Sequence, residues 1–293
     1  MKISDILKNE KPTLSFEYFP ARSEKGAETL DKAIDTLAEL KPDFVSVTFG
    51  AGGSTKEGSY DLVKKLKKEK ELEVVAYLTC YGLSQDEITA VLDSYKELGI
   101  ENILALRGDA SKEGVNVQMP ADSFKYAYEL VNFIRQKYSF CLGVAGYPEG
   151  HIDSPSLEKD IEYLKNKVDQ GADFIIANFF NDNVYFLNFL ERCQKCGIAI
   201  PILPGIMPVF SIKMMEILNG NCGTKIPEKM SKGISALPKG DTKALIEFGI
   251  AYAAQQCEEL LKEGVCGLHL YTMDKSESAA GIVNKLREKG FSI

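Results

Sequence analysis

The chain has no surplus of positive charge: 35 Lys and Arg stand against 42 Asp and Glu, a formal net charge of −7. Neither a nucleic-acid backbone nor an anionic bilayer therefore has a general electrostatic reason to bind it. It has no apolar run near the ~18 residues that cross a bilayer, so no membrane insertion is expected. Its amino end, Met1-Lys2-Ile3-Ser4-Asp5, is charged too early for a signal peptide. It lacks the even cysteine framework of a secreted protein. The seven cysteines, at 80, 141, 193, 196, 222, 257 and 266, read as free thiols in a cytoplasmic protein. Histidine is scarce, and His151 and His269 do not stand at metal-ligand spacing, so no metal is expected. No Pro/Gly/Ser-rich linker divides the 293 residues, and 24 Gly with 11 Pro is an ordinary globular share. Chemistry on a small molecule is what this composition leaves.

What is present is an alternation. Strand-like runs fall at Thr13–Phe19, Phe44–Thr48, Glu73–Leu78, Asn102–Leu106, Cys141–Gly146, Phe174–Asn178, Ala199–Pro204 and Gly267–Tyr271. Between them run helical patterns, such as Leu30, Ala33, Ile34, Leu37 and Leu40 at spacings of three and four. Ser84-x-x-Glu87 reads as a capping box, and Gly99, Gly171, Gly197 and Gly264 stand where helices should stop. Strict alternation implies parallel strands, and eight repeats predict one α/β domain over residues 1–293, a (β/α)8 TIM barrel with eight helices. The seventh connection is extended: Ser211–Leu218 reads as helix, Asn219–Lys239 as irregular and Asp241–Glu263 as a second helix.

In such barrels the active site lies where strands end and loops begin. Strand one carries Glu17 inside the aromatic run Phe16-Glu17-Tyr18-Phe19, where burial would favour a held proton and general-acid work. The alternative is a strand carboxylate that faces outward. Strand two runs into Gly50-Ala51-Gly52-Gly53-Ser54-Thr55, either an anion cradle or a plain tight turn. Strand four ends in Arg107-Gly108-Asp109, a mouth cluster or a surface ion pair. Strand five leads to Tyr147 and His151, where a lone histidine can equally be structural. Cys193-x-x-Cys196 has no second pair to make a metal site, Lys64–Glu71 reads as a solvated helix face, and Met214-Met215 as core or pocket lining.

Those strand ends carry a pattern. Ser15-Phe-Glu-Tyr-Phe-Pro-Ala-Arg22, Val47-Thr-Phe-Gly-Ala-Gly-Gly-Ser-Thr55, Leu78-Thr-Cys80, Leu106-Arg-Gly-Asp109, Gly143–His151, Lys167–Ala172 and Leu203-Pro-Gly-Ile206 resemble, in order, the methylenetetrahydrofolate reductase family. The resemblance implies an FAD-containing barrel (FMN being the lesser alternative) that reduces 5,10-methylenetetrahydrofolate to 5-methyltetrahydrofolate, with NADH or NADPH as reductant. It makes Glu17 the general acid and Asp109 the carboxylate beside flavin and folate. Thr48, Ala51, Tyr77, Arg107, Gly108, Asp109, Tyr126, Ala127, Tyr147, His151, Asp160 and Lys167 become flavin contacts, and Glu17, Asp109, Asn178 and Lys275 substrate contacts. Asp160, Tyr163 and Lys167, at i, i+3 and i+7, would share one helix face.

The chain also departs from the family pattern. Tyr77 replaces a usual His, and Tyr163 and Asn166 stand at two polar flavin-contacting positions. Asn178 and Met214 stand at Gln positions, and Asp274-Lys275 replaces an Asn-Arg pair. These changes reshape the nicotinamide surface and bring in the alternative of a subunit fed by an electron-donating protein partner. A non-catalytic barrel subunit is the third reading, and homo-oligomerisation stays open.

Overall fold

A computed structural model describes residues 1–50, 56–108 and 119–293. Eight strands close into a barrel in chain order, every neighbouring pair parallel. They are β1 (Thr13–Tyr18), β2 (Phe44–Val47), β3 (Val74–Thr79), β4 (Asn102–Leu106), β5 (Cys141–Gly146), β6 (Phe174–Phe179), β7 (Ile202–Ile206) and β8 (Gly267–Tyr271). Their residues are almost all buried on both faces, as a parallel strand between a filled interior and a helical shell requires. That double burial explains why the runs read as near-continuous apolar stretches.

The helices are α1 (Ile3–Ile6), α2 (Glu24–Ala38), α3 (Lys56–Lys68), α4 (Gln85–Glu97), α5 (Ala127–Lys137), α6 (Leu157–Asp169), α7 (Asn183–Lys195), α8 (Ile212–Cys222), α9 (Glu228–Ser235), α10 (Thr242–Lys262) and α11 (Ser276–Glu288). Side-chain caps start most of them: Ser23, Ser156, Asp182, Ser211 and Asp241 accept first-turn N–H groups, and Ser84 with Glu87 forms the expected capping box. None of the described helices is long and apolar enough to cross a membrane.

Three expectations are corrected. The expected set of helices misses α1, which closes the amino-terminal end of the barrel through Ile3, whose N–H donates to Asn102 Oδ1 at 2.8 Å. It also misses α9, inside the stretch read as irregular, while α8 runs four residues past its expected end. Eight residues are too short for periodicity to register. Tertiary packing holds α9: Met230 is buried with Val209, Met215 and Leu245 in a satellite core, and the bare Cα of Gly233 admits the Phe248 ring. β7 is shifted toward the mouth, starting after Pro201, which has no N–H to give the ladder, and pairing as far as Gly205 and Ile206.

Gly249 lets α10 approach the backbone after β7: a Cβ there would stand 1.8 Å from Val209 O. One residue of the seventh connection fastens it to the rest of the rim. The Lys225 N–H donates to Glu149 Oε2 at 3.1 Å, its carbonyl accepts from Asn181 Nδ2 at 2.8 Å, and its Nζ lies 5.5 Å from the centre of the Tyr185 ring.

Candidate active site

Glu17 points into the barrel and is 3% exposed, which overturns the outward-facing alternative. Register places it beside Ser46 of β2 and Tyr271 of β8. The Tyr77 hydroxyl, from β3, donates to Glu17 Oε2, and Ser46 Oγ in turn donates to the Tyr77 oxygen at 3.4 Å. On the other side stands His269, fully buried on β8, with Nε2 3.8 Å from Glu17 Oε2 and 3.4 Å from Ser46 Oγ. Ser15 Oγ donates to Leu268 O at 3.1 Å and lies 2.8 Å from His269 Nδ1, so the ring is held on both sides by β1 and β2.

The phenols around Glu17 stay protonated. Burial, then the Glu17 charge, pushes Tyr77 well above the usual tyrosine range, and the same two causes act first on Tyr271. The Tyr271 ring lies across β7, where a Cβ on Gly205 would stand 2.5 Å from it and 2.2 Å from Ala177 O. Beyond β8 the backbone turns through two non-glycine residues at positive φ, Met273 at 47° and Asp274 at 57°. Burial lifts the Asp274 carboxyl to about 6, against the opposing Phe19 N–H and Lys275.

A second cluster gathers at the ends of β4 and β5. Tyr147 meets His151 edge to face at 4.7 Å. Asp160 Oδ1 accepts from the His151 N–H at 3.2 Å and from Ser154 Oγ at 2.7 Å. Lys167 Nζ donates to Ala145 O at 2.6 Å, and burial lowers its ammonium to about 8, opposed by Asp160. Arg107 joins this cluster through Asp153, 3.1 Å away, whose N–H donates to His151 Nδ1. The Arg107 ion pair is thus with Asp153 and largely exposed, a geometry that contributes little to stability. Gly108, at φ 85°, packs against Thr79, where a Cβ would stand 2.9 Å from Thr79 Cβ.

Tyr147, His151, Asp160 and Lys167 therefore come together, whereas Tyr163 stands outside them on α6 with Lys159 over its ring. Tyr126 and Ala127 open α5, with Tyr126 exposed and stacked on Tyr128. Thr48, just after β2, is buried, and its hydroxyl has no hydrogen-bond partner among the described residues. Asn178 is half-buried at the end of β6, and Lys275 is exposed at the start of α11. Ala51 and Asp109 lie outside the described residues. Of the Cys193–Cys196 pair, only Cys196 is exposed, burial lifts the Cys193 thiol to about 12, and the described residues hold no His, Cys, Asp or Glu group able to bind a metal.

Sequence reasoning missed His269, Tyr271 and Ser46. A signal existed: Ser15/Glu17, Ser46/Thr48, Tyr77/Thr79 and His269/Tyr271 are polar pairs two apart within strands, the spacing that puts both members on one face.

A parallel eight-stranded barrel that gathers a buried carboxyl, a phenol and an imidazole inside its strands, beside a lysine and arginine cluster, defines the class: a (β/α)8 barrel with titratable side chains grouped in its interior. The family described as methylenetetrahydrofolate reductase matches residues 2–287, and the chain belongs to it. It is 36% identical over 296 residues to "Methylenetetrahydrofolate reductase (NADH) 1" of Arabidopsis thaliana, covering 97% of this chain and 50% of that protein. The chain thus spans about half the length of the plant relatives it matches. It is 35% identical over 274 residues to the 5,10-methylenetetrahydrofolate reductase of Escherichia coli (strain K12), covering 93% of this chain and 90% of that one. A solved structure from Clostridium thermocellum, described as an uncharacterized protein that binds two copies of 5-methyl-5,6,7,8-tetrahydrofolic acid, matches with TM-score 0.65 at 16% identity, over 99% of this chain and all of that one. At that identity it bears on the fold alone.

Proposed function

We propose that the chain reduces 5,10-methylenetetrahydrofolate to 5-methyltetrahydrofolate with a bound flavin, FAD in preference to FMN, and that Glu17 is the general acid. The observation that carries this reading is Glu17 itself, buried at the mouth with a phenol donating to one of its oxygens. The residues at the ends of β2, β4 and β5 fit a flavin. Thr48 offers a buried hydroxyl with no partner among the described residues, and Arg107 and Lys167 supply cationic donors for a phosphate-bearing, electron-rich group. Once bound and reduced, a flavin supplies the hydride for the folate methylene carbon.

The protein's own part is proton and charge management. Glu17 gives its proton to the folate nitrogen that leaves as the five-membered ring opens. The carbon–nitrogen electron pair goes to that nitrogen, and the remaining iminium carbon accepts the hydride. Asp109, assigned from the family pattern, would hold the cation in its ionised form.

The natural reductant is either a nicotinamide or a protein partner. The departures at Asn178 and Lys275 favour the partner. A visible spectrum of the purified chain, followed by anaerobic addition of NADH and then methylenetetrahydrofolate, tests both levels. A flavin spectrum, slow bleaching by NADH and fast reoxidation by the folate are expected. A chain that takes up neither FAD nor FMN on reconstitution would refute the flavin reading, and rapid bleaching by NADH would refute the need for a partner.

A further inference from the structure

Among the described residues, the titratable groups facing Glu17 are Tyr77 from β3, His269 and Tyr271 from β8, and Asp274 from the turn after β8. Only Tyr77 makes a hydrogen bond to the Glu17 carboxyl that the structure describes. The bond has a direction. Ser46 Oγ donates to the Tyr77 oxygen, and Tyr77 spends its one proton on Glu17 Oε2. Burial pushes that phenol well above the usual tyrosine range, so at neutral pH it has a proton to donate. Both partners are buried, so no water competes for the bond.

We infer that Tyr77 is a positioning residue for Glu17: it fills Oε2 from the barrel interior and thereby fixes the transferable proton on Oε1. This rests on the reading of Glu17 as the general acid. A neutral carboxyl has one O–H and one carbonyl oxygen, and a donor bonded to Oε2 makes that atom the carbonyl. Without the phenol the proton can reside on either oxygen and the carboxyl can rotate, so only part of the population presents an acid to the substrate. Tyr77 thus stands on β3 not as a wall for the cofactor but as the partner of the acid on β1.

The decisive measurement uses no turnover. In pH-difference infrared spectra of the purified chain, the Glu17 carboxyl C=O band is identified by its absence in Glu17→Gln. In Tyr77→Phe, which keeps the ring, this band should shift to higher frequency as the carbonyl loses its donor. An unmoved band would overturn the inference. Kinetics give the second test, with flavin reduced chemically and then mixed with methylenetetrahydrofolate. Tyr77→Phe should slow reoxidation about 10-fold, the scale of a lost buried hydrogen bond. In the Glu17→Gln background the same change should do nothing further. Equal losses in both backgrounds, or a changed flavin affinity with an unmoved carboxyl band, would show that Tyr77 acts on the cofactor instead. A Glu17→Gln chain with full folate activity would refute the acid reading alone, while the infrared band still decides the Tyr77 contact. If Tyr77→Phe does not fold, Ser46→Ala should move the band the same way by less, since it removes the hydroxyl that orients Tyr77; an unmoved band there refutes the chain of donors.

Discussion

Replacing Asp274 by Asn should stabilise the protein at neutral pH and do nothing in acid. The carboxyl sits at about 6 in the fold and 3.8 as an ordinary aspartate, because burial disfavours its charge more than the Phe19 N–H and Lys275 favour it. A raised native value means that the folded chain holds this proton more tightly than the unfolded chain. The site's contribution is therefore fully present below about pH 4, is lost as pH rises toward 6, and is flat above that. Two units would correspond to roughly 3 kcal/mol, and partial solvation reduces this to about 2 kcal/mol. Asn removes the charge, keeps an acceptor for the Phe19 N–H, and tolerates the left-handed backbone at φ 57°. The assay is the thermal midpoint of parent and Asp274→Asn chains from pH 4 to 8. At ~2 °C per kcal/mol for a chain of this size, the variant should gain about 4 °C at pH 7–8 and nothing near pH 4. An equal gain at every pH, or none at pH 8, would refute the reasoning.

Glu17→Gln should leave flavin binding nearly unchanged and slow the folate half-reaction by about 10²-fold or more, read by stopped-flow reoxidation; retention of most of the rate would make Glu17 structural. Gly249→Ala should cost more than the ~1–3 kcal/mol of ordinary overpacking, because its Cβ would stand 1.8 Å from a backbone oxygen that cannot rotate away. A denaturation midpoint equal to the parent's would show that α10 and the Val209 backbone separate freely.

How much was legible depended on whether a feature was local. The β4, β5 and β8 boundaries match residue for residue, because a strand buried on both faces leaves an unbroken apolar run between turn residues. The Ser84–Glu87 box was legible because both partners lie within one turn. β7 slipped at its end because Gly205 looks like a strand breaker, yet it fits a strand whose neighbours β6 and β8 carry the ladder. α9 was hidden because its reason lies in Phe248 and Leu245, which come later in the chain. At the site, Glu17 could be singled out from its aromatic neighbours. His269 could not, since its partners Ser15 and Ser46 lie 254 and 223 residues away and meet it only through barrel closure. The same holds for Tyr77, whose place opposite Glu17 is a fact of register across three strands.

The three-way attachment of Lys225 makes the rim of the barrel a hoop. Its amide is pinned to the loop after β5, its carbonyl to the loop after β6, and its ammonium to the ring of Tyr185 on α7. A displacement that lifts the seventh connection must break all of these at once, so the stretch should open as one cooperative unit and not fray residue by residue. The Lys225 amide proton is then a built-in timer: its exchange with solvent clocks the release of the whole hoop, and a ligand that braces either neighbouring loop slows that clock without touching Lys225.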